Sequence, residues 1–110
     1  MKKNEIWLAN LNPSMGNEQS GIRPVVIISG NGMNANLNMS IICPLTTKIK
    51  NFIGDIILEP DDTNGLKETS EILSFQIRVL THKRFIKKLG LVTDAEMNKI
   101  IENINKIFKY

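Results

Sequence analysis

Cysteine and histidine are nearly absent from this sequence of 110 residues, which contains only Cys43 and His82. One cysteine excludes an internal disulfide, and one histidine with one cysteine cannot supply the usual ligands of a zinc site within one chain. The acidic residues are scattered and do not form a calcium-binding loop. Cys43 follows Ile41 and Ile42, which is typical of a buried apolar side chain rather than of a nucleophile.

Several features that define other protein classes are missing as well. No apolar run is long enough for a membrane span. Lys2 and Lys3 precede apolar residues as in a signal peptide, but polar residues interrupt that stretch and no small-residue cleavage site follows. The glycine-rich dinucleotide motif, the P-loop, HExxH and GxSxG are all absent. We therefore expect a cytoplasmic protein with no membrane partner.

The composition is that of one globular domain over residues 1–110, with 42% hydrophobic and 23% charged residues. The net charge of +3 permits a polyanionic partner. From position 78 to position 90 the chain carries basic residues and no acid: Arg78, Lys83, Arg84, Lys87 and Lys88. This stretch is either a solvated surface or a patch that binds phosphates. Aromatic residues make up only 5%, so base stacking cannot be the main mode of any nucleic-acid contact.

Short apolar segments separated by turn formers predict antiparallel strands. The predicted strands are 5–11, 25–29, 39–45, 55–59, 70–80 with a bend near Ser74, and 91–92. Residues 30–38 are rich in turn formers and predict a loop, and residues 48–54 predict a basic loop. Pro44 is expected to end its strand or to force a bulge. Residues 81–86 are predicted to form one helical turn capped by Thr81.

A capping box marks the start of a C-terminal helix, with Thr93 at the N-cap and Glu96 three residues later. Apolar residues then recur at helical spacing: Met97, Ile100, Ile101, Ile104, Ile107 and Phe108. A doubly wound parallel sheet is excluded because crossover helices are missing. The predicted fold is therefore mostly β with α, an α+β domain or small barrel with one terminal amphipathic helix.

Two segments carry polar side chains suited to a functional site. Residues 13–24 contain two prolines and two glycines, which exclude a continuous strand or helix. This loop holds Glu18 and Arg23, which form either a site or a surface ion pair in a long hairpin loop. Thr46 and Thr47, at the end of the third strand, either bond their own backbone or present hydroxyl donors to an anion.

Three sequence blocks form specific patterns. Residues 16–25 read GNEQSGIRPV, residues 43–48 read CPLTTK, and residues 73–78 read LSFQIR. In this order and spacing they resemble the patterns G-[SN]-E-Q-x-G-x-R-P-V, P-x-T-T and D/E-Q-[IV]-[RK] of the MazF/PemK toxins of bacterial toxin–antitoxin systems. The resemblance spans nearly the whole chain.

The resemblance implies an SH3-like antiparallel β-barrel of the CcdB/PemK type that works as a homodimer. It implies an endoribonuclease that needs no metal or cofactor and cleaves single-stranded RNA at short motifs, independently of the ribosome, leaving a 2′,3′-cyclic phosphate and a 5′-hydroxyl. The implied partners are RNA and a cognate MazE-like antitoxin, whose flexible acidic tail covers the RNA groove. DNA binding is expected only through the antitoxin complex, because the chain has no recognisable helix-turn-helix.

The site residues follow from the same resemblance. The ribose 2′-hydroxyl attacks the adjacent phosphorus, which requires a base, a donor for the leaving 5′-oxygen and positive charge at the phosphorane oxygens. Arg23 and Thr46 are the implied catalytic residues. Glu18 is the candidate base, with Arg23 as the alternative, and Arg23 is expected to keep Glu18 ionised. The implied RNA contacts are Gln19, Asn17, Thr47, Lys48, Gln76 and Arg78, with Thr47 also in reserve for Thr46.

Phe75 departs from the family pattern, which commonly has an acid before the glutamine. An aromatic ring there either stacks on a base or fills the barrel, and either role alters the preferred RNA sequence. Asn17 replaces a frequent serine, a mild change. The alternative function is a non-nuclease toxin or binding module on the same barrel, such as a CcdB-like gyrase inhibitor, for which Arg23 would be dispensable.

Overall fold

The computed structural model describes residues 1–13 and 15–109. These residues form seven strands and two helices. The strands, β1 to β7 in chain order, are Glu5–Asn10, Ile22–Ile27, Met39–Thr46, Ile56–Leu58, Ser70–Ile72, Arg78–Thr81 and Phe85–Leu91. The helices are α1, Asn31–Asn36, and α2, Asp94–Lys109. Short 3₁₀ turns at Ser74–Gln76 and His82–Arg84 precede β6 and β7.

The strands form one curled antiparallel sheet in the order β4-β5-β3-β2-β1-β7, with β6 paired to β3. Val26 of β2 pairs with Ile6 on one side and with Cys43 on the other, so β2 is central, as its continuous apolar sequence predicts. The bend near Ser74 is confirmed, because a 3₁₀ turn separates β5 from β6. The predicted class, mostly β with a C-terminal helix, is confirmed.

Both faces of the sheet carry an apolar cluster. One includes side chains of α2 and reaches across the sheet, with Ile6, Val26, Cys43, Leu45, Met97, Ile100 and Ile104 among its members. The other contains Ala9, Leu11, Val25, Ile27, Ile42 and Leu80, with Trp7 and Phe85 packed against it. Because side chains alternate along a strand, the centre of the sheet is buried on both sides.

Helix α2 begins at the predicted capping box. The Glu96 nitrogen donates to Oγ1 of Thr93 at 3.1 Å, and the Thr93 nitrogen donates to Oε1 of Glu96 at 2.8 Å. The apolar stripe is buried through Ile104, whereas Ile107 and Phe108 remain exposed. In the part of the chain that the structure describes, no helix has the length and hydropathy needed to cross a membrane.

The basic stretch before α2 folds differently from its prediction. The expected helical turn at 81–86 is a shorter 3₁₀ turn without a side-chain cap from Thr81, and β7 follows it in place of a two-residue strand. Pairing with β1 creates this strand, and Lys88 Nζ lies 3.2 Å from Oε2 of Glu5 on β1. Lysines on an edge strand stay solvated and discourage further pairing.

The predicted loop at 30–38 contains α1, which corrects that prediction. Tertiary hydrogen bonds hold this asparagine-rich turn. Nδ2 of buried Asn34 donates to the Ser29 carbonyl at 3.0 Å, and Oγ of Ser40 donates to Oδ1 of Asn34 at 2.7 Å. Ser40 Oγ also lies 2.8 Å from Nε2 of His82. Burial, and then the charge of the N-terminal amine, lower the pKa of His82, which fits a structural histidine.

Pro44 lies within β3 and neither ends it nor forces a bulge, so that prediction is wrong. The register with β2 is unbroken through Val25–Pro44. The Pro44 carbonyl accepts a hydrogen bond from the Leu73 nitrogen at 2.9 Å, so the proline nitrogen also points to that edge. That edge is shared by β6, which pairs with residues up to Ile42, and by β5, which pairs from Leu45. The missing N–H group therefore falls in the gap between two partner strands.

Candidate active site

The loop between β1 and β2 is closed at its base by hydrogen bonds. The Leu11 nitrogen donates to the Gly21 carbonyl at 2.9 Å, and the Gly21 nitrogen donates to Oδ1 of Asn12 at 3.0 Å. Gly21 has a φ of 78°, a conformation that favours glycine. Ser14, which belongs to the predicted site loop, lies outside the described residues. The loop thus has a defined geometry where it enters β2.

Gln76 ties this loop to the turn between β5 and β6. Its Oε1 accepts a hydrogen bond from the Gln19 nitrogen at 2.8 Å, and its Nε2 donates to the Asn17 carbonyl at 3.2 Å. Both ends of the amide are therefore engaged with backbone. The sequence predicts Gln76 as an RNA contact, and the structure adds a role in shaping the loop.

Two adjoining cavities open beside this tie. The larger cavity, about 320 Å³, is lined by Asn17, Gln19, Thr46, Lys48, Lys50, Phe52, Leu73, Phe75 and Gln76. The smaller cavity, about 180 Å³, is lined by Glu18, Gln19, Pro44, Phe75, Gln76, Ile77 and Arg78. Seven of the nine predicted site residues line one or both cavities, and Arg23 and Thr47 line neither.

Arg23 belongs to β2 rather than to the preceding loop. The strand begins at Ile22, and Arg23 pairs with Ala9 of β1. Its Nε donates to the Ser20 carbonyl at 2.6 Å, which holds the guanidinium beside the end of the loop. The sequence predicts that the loop ends at Pro24, because proline and glycine interrupt the apolar pattern. In the structure, pairing with β1 extends β2 towards the N-terminus as far as Ile22.

Register places Arg23 and Thr46 on the same face of neighbouring strands. Val25 of β2 pairs with Pro44 of β3, and residues two positions apart on a strand share a face. Arg23 lies two residues before Val25, and Thr46 lies two residues after Pro44 in the antiparallel partner. The two predicted catalytic residues therefore share a face of the sheet, although only Thr46 lines the larger cavity.

Glu18 is not joined to Arg23 as expected. Its Oε1 accepts a hydrogen bond from the Met15 nitrogen at 2.9 Å, and its own nitrogen donates to the Met15 carbonyl at 3.2 Å. Over residues 1–13 and 15–109 no ion pair links Glu18 to Arg23, because the carboxylate turns back onto its own loop. Glu18 lines the smaller cavity together with Arg78 instead.

Thr46 and Thr47 are separated by the alternation of side chains along the strand. Thr46 is buried and lines the larger cavity, and its Oγ1 accepts a hydrogen bond from the Lys48 nitrogen at 3.1 Å. Thr47 is exposed and lines a different cavity, of about 310 Å³, with Lys67 and Lys87. Thr46 is thus the threonine that shares a cavity with the other site residues.

Residues 2–108 match the model of a family described as the PemK-like, MazF-like toxin of type II toxin–antitoxin system. The chain belongs to this family. The Endoribonuclease MazF of Staphylococcus saprophyticus is 34% identical over 101 residues, which are 91% of this chain and 84% of that protein. The family prediction is confirmed.

Solved structures show the same fold. MazF from Deinococcus radiodurans superposes with a TM-score of 0.83 at 22% identity, covering 99% of this chain and 96% of that one. A mycobacterial endoribonuclease solved in complex with its cognate antitoxin gives a TM-score of 0.81 at 23% identity, covering 99% of this chain and 95% of that one. The curled sheet and C-terminal helix of this toxin are therefore those of MazF structures.

A buried carboxylate fixes the basic loop of the toxin. Glu71 of β5 is fully buried and accepts hydrogen bonds from the nitrogens of Lys50, Asn51 and Phe52, at 2.9, 2.7 and 3.2 Å. Lys48, Lys50 and Phe52 line the larger cavity from this loop. No sequence pattern signals this role, because Glu71 is a single acid in a strand that meets the loop only in the folded chain.

Asp55 shares a proton with Glu71. Burial, and next the Glu71 carboxyl, raise the pKa of Asp55 to about 7. Burial alone would raise the pKa of Glu71, but hydrogen bonds from Asp55 and from the loop nitrogens lower it. Glu71 is therefore the ionised member and Asp55 the protonated one. Oδ1 of Asp55 also accepts hydrogen bonds from the Ser74 nitrogen at 3.4 Å and from Nδ2 of Asn103 at 3.1 Å.

Other groups of the toxin take no part in this site. Cys43 is fully buried, and burial raises its pKa to about 12, as expected for an apolar core residue. Over residues 1–13 and 15–109 no group of three or more His, Cys, Asp or Glu is placed to hold a metal ion. A cavity of about 390 Å³ between β4 and α2 includes Lys99, Glu102 and Lys106 in its lining and none of the predicted site residues.

Proposed function

We propose that this toxin, acting as one domain over residues 1–110, is an endoribonuclease that cleaves single-stranded RNA at specific sequences. The ribose 2′-hydroxyl gives its proton to a base and attacks the adjacent phosphorus, and the bond from phosphorus to the 5′-oxygen breaks. The leaving 5′-oxygen takes up a proton from the protonated base or from solvent, so the products carry a 2′,3′-cyclic phosphate and a 5′-hydroxyl. Because the nucleophile comes from the substrate, the reaction needs no metal or cofactor, and it proceeds on free RNA without the ribosome.

The main support is the convergence of three distant sequence blocks on the two adjoining cavities. The loop residue Gln19, the strand-end residue Thr46 and the turn residue Gln76 line the same cavity. Lys48 and Lys50 add positive charge there, and Arg78 adds it to the smaller cavity. A cationic, polar groove of this kind suits a phosphate backbone with its bases unpaired.

Each predicted catalytic residue has a distinct role in this mechanism. The planar guanidinium of Arg23 binds the two non-bridging oxygens of the phosphorane, and Thr46 donates a hydrogen bond to one of them. Glu18 is the base for the 2′-proton, and Arg23 the alternative to it. Arg78 lines the same cavity as Glu18, so it supplies positive charge beside the reacting phosphate.

The partners follow from the family and from the charge of the site. A cognate antitoxin neutralises the toxin by laying a flexible acidic tail along the cationic groove. The toxin acts in the cytoplasm as a homodimer, and it reaches DNA only as part of the antitoxin complex.

The deciding experiment is incubation of the purified toxin with a long single-stranded RNA in EDTA, followed by mapping of the cut ends. We expect discrete cuts with cyclic-phosphate ends. Arg23→Ala should abolish them while it keeps the fold, judged by circular dichroism and gel filtration. Arg84→Ala is the matched control, since Arg84 lies in the 3₁₀ turn before β7 and is not one of the predicted site residues, and it should cut like the wild type.

Two results would contradict the proposal. Cleavage by Arg23→Ala near the wild-type rate would remove the catalytic assignment. No cleavage of several unrelated RNAs, with growth arrest in cells intact, would favour the non-nuclease toxin of the CcdB type.

A further inference from the structure

Two half-exposed phenylalanines from different segments meet at the larger cavity. The ring centroids of Phe52 and Phe75 are 5.0 Å apart, with the planes at 74°. Their exposed fractions are 44% and 46%. In an edge-to-face pair only one face of one ring is used by the contact, so aromatic surface remains open. We call Phe52 and Phe75 the aromatic pair.

The aromatic pair lies at the centre of the site. Phe75 lines both cavities, and Phe52 lines the larger one with Lys48 and Lys50. The larger cavity, about 320 Å³, is at the lower end of the usual range for small-ligand sites, roughly 300–1,000 Å³. It has room for one nucleotide rather than for a longer stretch, and the lysines offer charge to its phosphate.

Hydrogen bonds fix the backbone that carries both rings before any ligand binds. The Phe52 nitrogen donates to Oε2 of buried Glu71 at 3.2 Å. The turn that carries Phe75 is held on one side by the Ser74 nitrogen donating to Asp55, at 3.4 Å. On the other side it is held by the hydrogen bonds of the Gln76 side chain. Little backbone freedom is lost when a base binds, which favours affinity.

We propose that the aromatic pair stacks on one unpaired base of the RNA, held in the larger cavity beside the cleaved bond, and that Phe52 and Phe75 are substrate-binding residues of this toxin. The inference rests on the proposed function. Stacking accepts every base, so the choice among bases comes from polar groups at the cavity edge, the side chains of Asn17 and Gln19. A single stacked base also fits the low aromatic content of the chain.

The variants that test the aromatic pair separate the effect of the aromatic ring from the effect of side-chain volume. With a short RNA that contains a mapped cut site, we expect Phe75→Leu to lower kcat/KM about ten- to a hundredfold, mainly through KM. Phe75→Tyr keeps the ring and should stay close to the wild type, and Phe52→Leu should lower kcat/KM in the same way as Phe75→Leu. Phe108→Leu is the matched control, because Phe108 is 77% exposed on α2 and should change nothing.

Stacking is also observed directly with 2-aminopurine placed in turn at each base around the cut. On Arg23→Ala protein, used to prevent cutting, we expect fluorescence quenching at one position, and loss of that quenching when Phe75→Leu is added. If Phe75→Leu cleaves RNA at the wild-type rate and with the wild-type base preference, the role of the aromatic pair is overturned and the proposed function is retained. No cleavage by the wild type would overturn the proposed function and the inference with it.

Discussion

Oε1 of Gln76 accepts a hydrogen bond from the backbone nitrogen of Gln19, 57 positions earlier in the chain, at 2.8 Å. The same amide donates to the Asn17 carbonyl. One side chain from the turn after β5 therefore fixes the backbone of the loop after β1, and it does so between the two cavities.

Replacement of Gln76 by alanine should release this loop. We expect a loss of about 1 kcal/mol in the free energy of unfolding and a larger relative loss of RNA cleavage, because Asn17 and Gln19 lose their positions. Gln19→Ala is the control for stability alone, since it keeps the backbone nitrogen that Gln76 binds and should unfold like the wild type. Urea unfolding and kcat/KM measure the two effects. Wild-type kcat/KM for Gln76→Ala would show that the tie is dispensable.

The two adjacent threonines should differ in importance. Thr46→Ala is expected to lower kcat by about a hundredfold or more, because a donor to the phosphorane is lost, and Thr46→Ser should restore most of the rate. Thr47→Ala should stay near the wild type, since Thr47 lines another cavity. Single-turnover cleavage of a mapped RNA provides the comparison. A greater loss for Thr47→Ala would contradict the assignment of Thr46.

Removal of the buried carboxylate should destabilise the toxin strongly. Glu71→Ala leaves three backbone N–H groups of the basic loop without their acceptor, and we expect a cost of about 3 kcal/mol or more. Glu71→Gln keeps an acceptor oxygen and should cost less. Exposed Glu68 serves as the control, with a change within about 0.5 kcal/mol for Glu68→Ala. Equal urea midpoints for Glu71→Ala and Glu68→Ala would refute this role.

Stability should depend on pH through Asp55. Its pKa is about 7 in the folded state against a usual 3.8, so the stabilisation that its proton contributes is complete below about pH 3.8 and is lost as the pH rises from there through about 7. The pKa of Glu71 is lowered, so Glu71 loses its proton before Asp55 as the pH rises. Asp55→Asn cannot ionise and keeps an N–H donor in place of the carboxyl proton.

We therefore expect the unfolding temperature of the wild type to fall relative to Asp55→Asn between about pH 4 and about pH 7 and to change no further above that. Thermal unfolding at several pH values measures this, and Asp62→Asn, at an exposed aspartate, should follow the wild-type profile. Parallel curves for the wild type and Asp55→Asn would mean that Asp55 ionises as freely in the folded protein as in the unfolded chain.

Local signals in the sequence predict much of this structure. The capping box of Thr93 and Glu96 marks the start of α2, and the apolar run of β2 indicates a central strand. The three motif blocks identify the family and most of the residues around the cavities. These features can be predicted from the sequence because each depends on neighbours within a few positions of the chain.

What the sequence does not reveal depends on partners that are distant in the chain. β7 forms from a lysine-rich segment because β1 pairs with it, and Ser40, which holds Asn34 of α1, contacts His82, 42 positions later in the chain. The expected pairing of Glu18 with Arg23 fails because pairing with Ala9 places Arg23 in a strand. The contact between Phe52 and Phe75 also requires the folded chain.

Pro44 lies at the point where the partner of β3 changes from β6 to β5. Because proline has no N–H group to donate, no hydrogen bond of the sheet is missing where the turn that carries Phe75 crosses this edge of β3. Substitutions in that turn alter the lining of both cavities and leave the strands of the sheet unchanged. Half-exposed Phe75 lines both cavities from this turn, so we expect substitutions at that position to change RNA preference at little cost in folding stability, unlike substitutions of Gln76, which holds the loop.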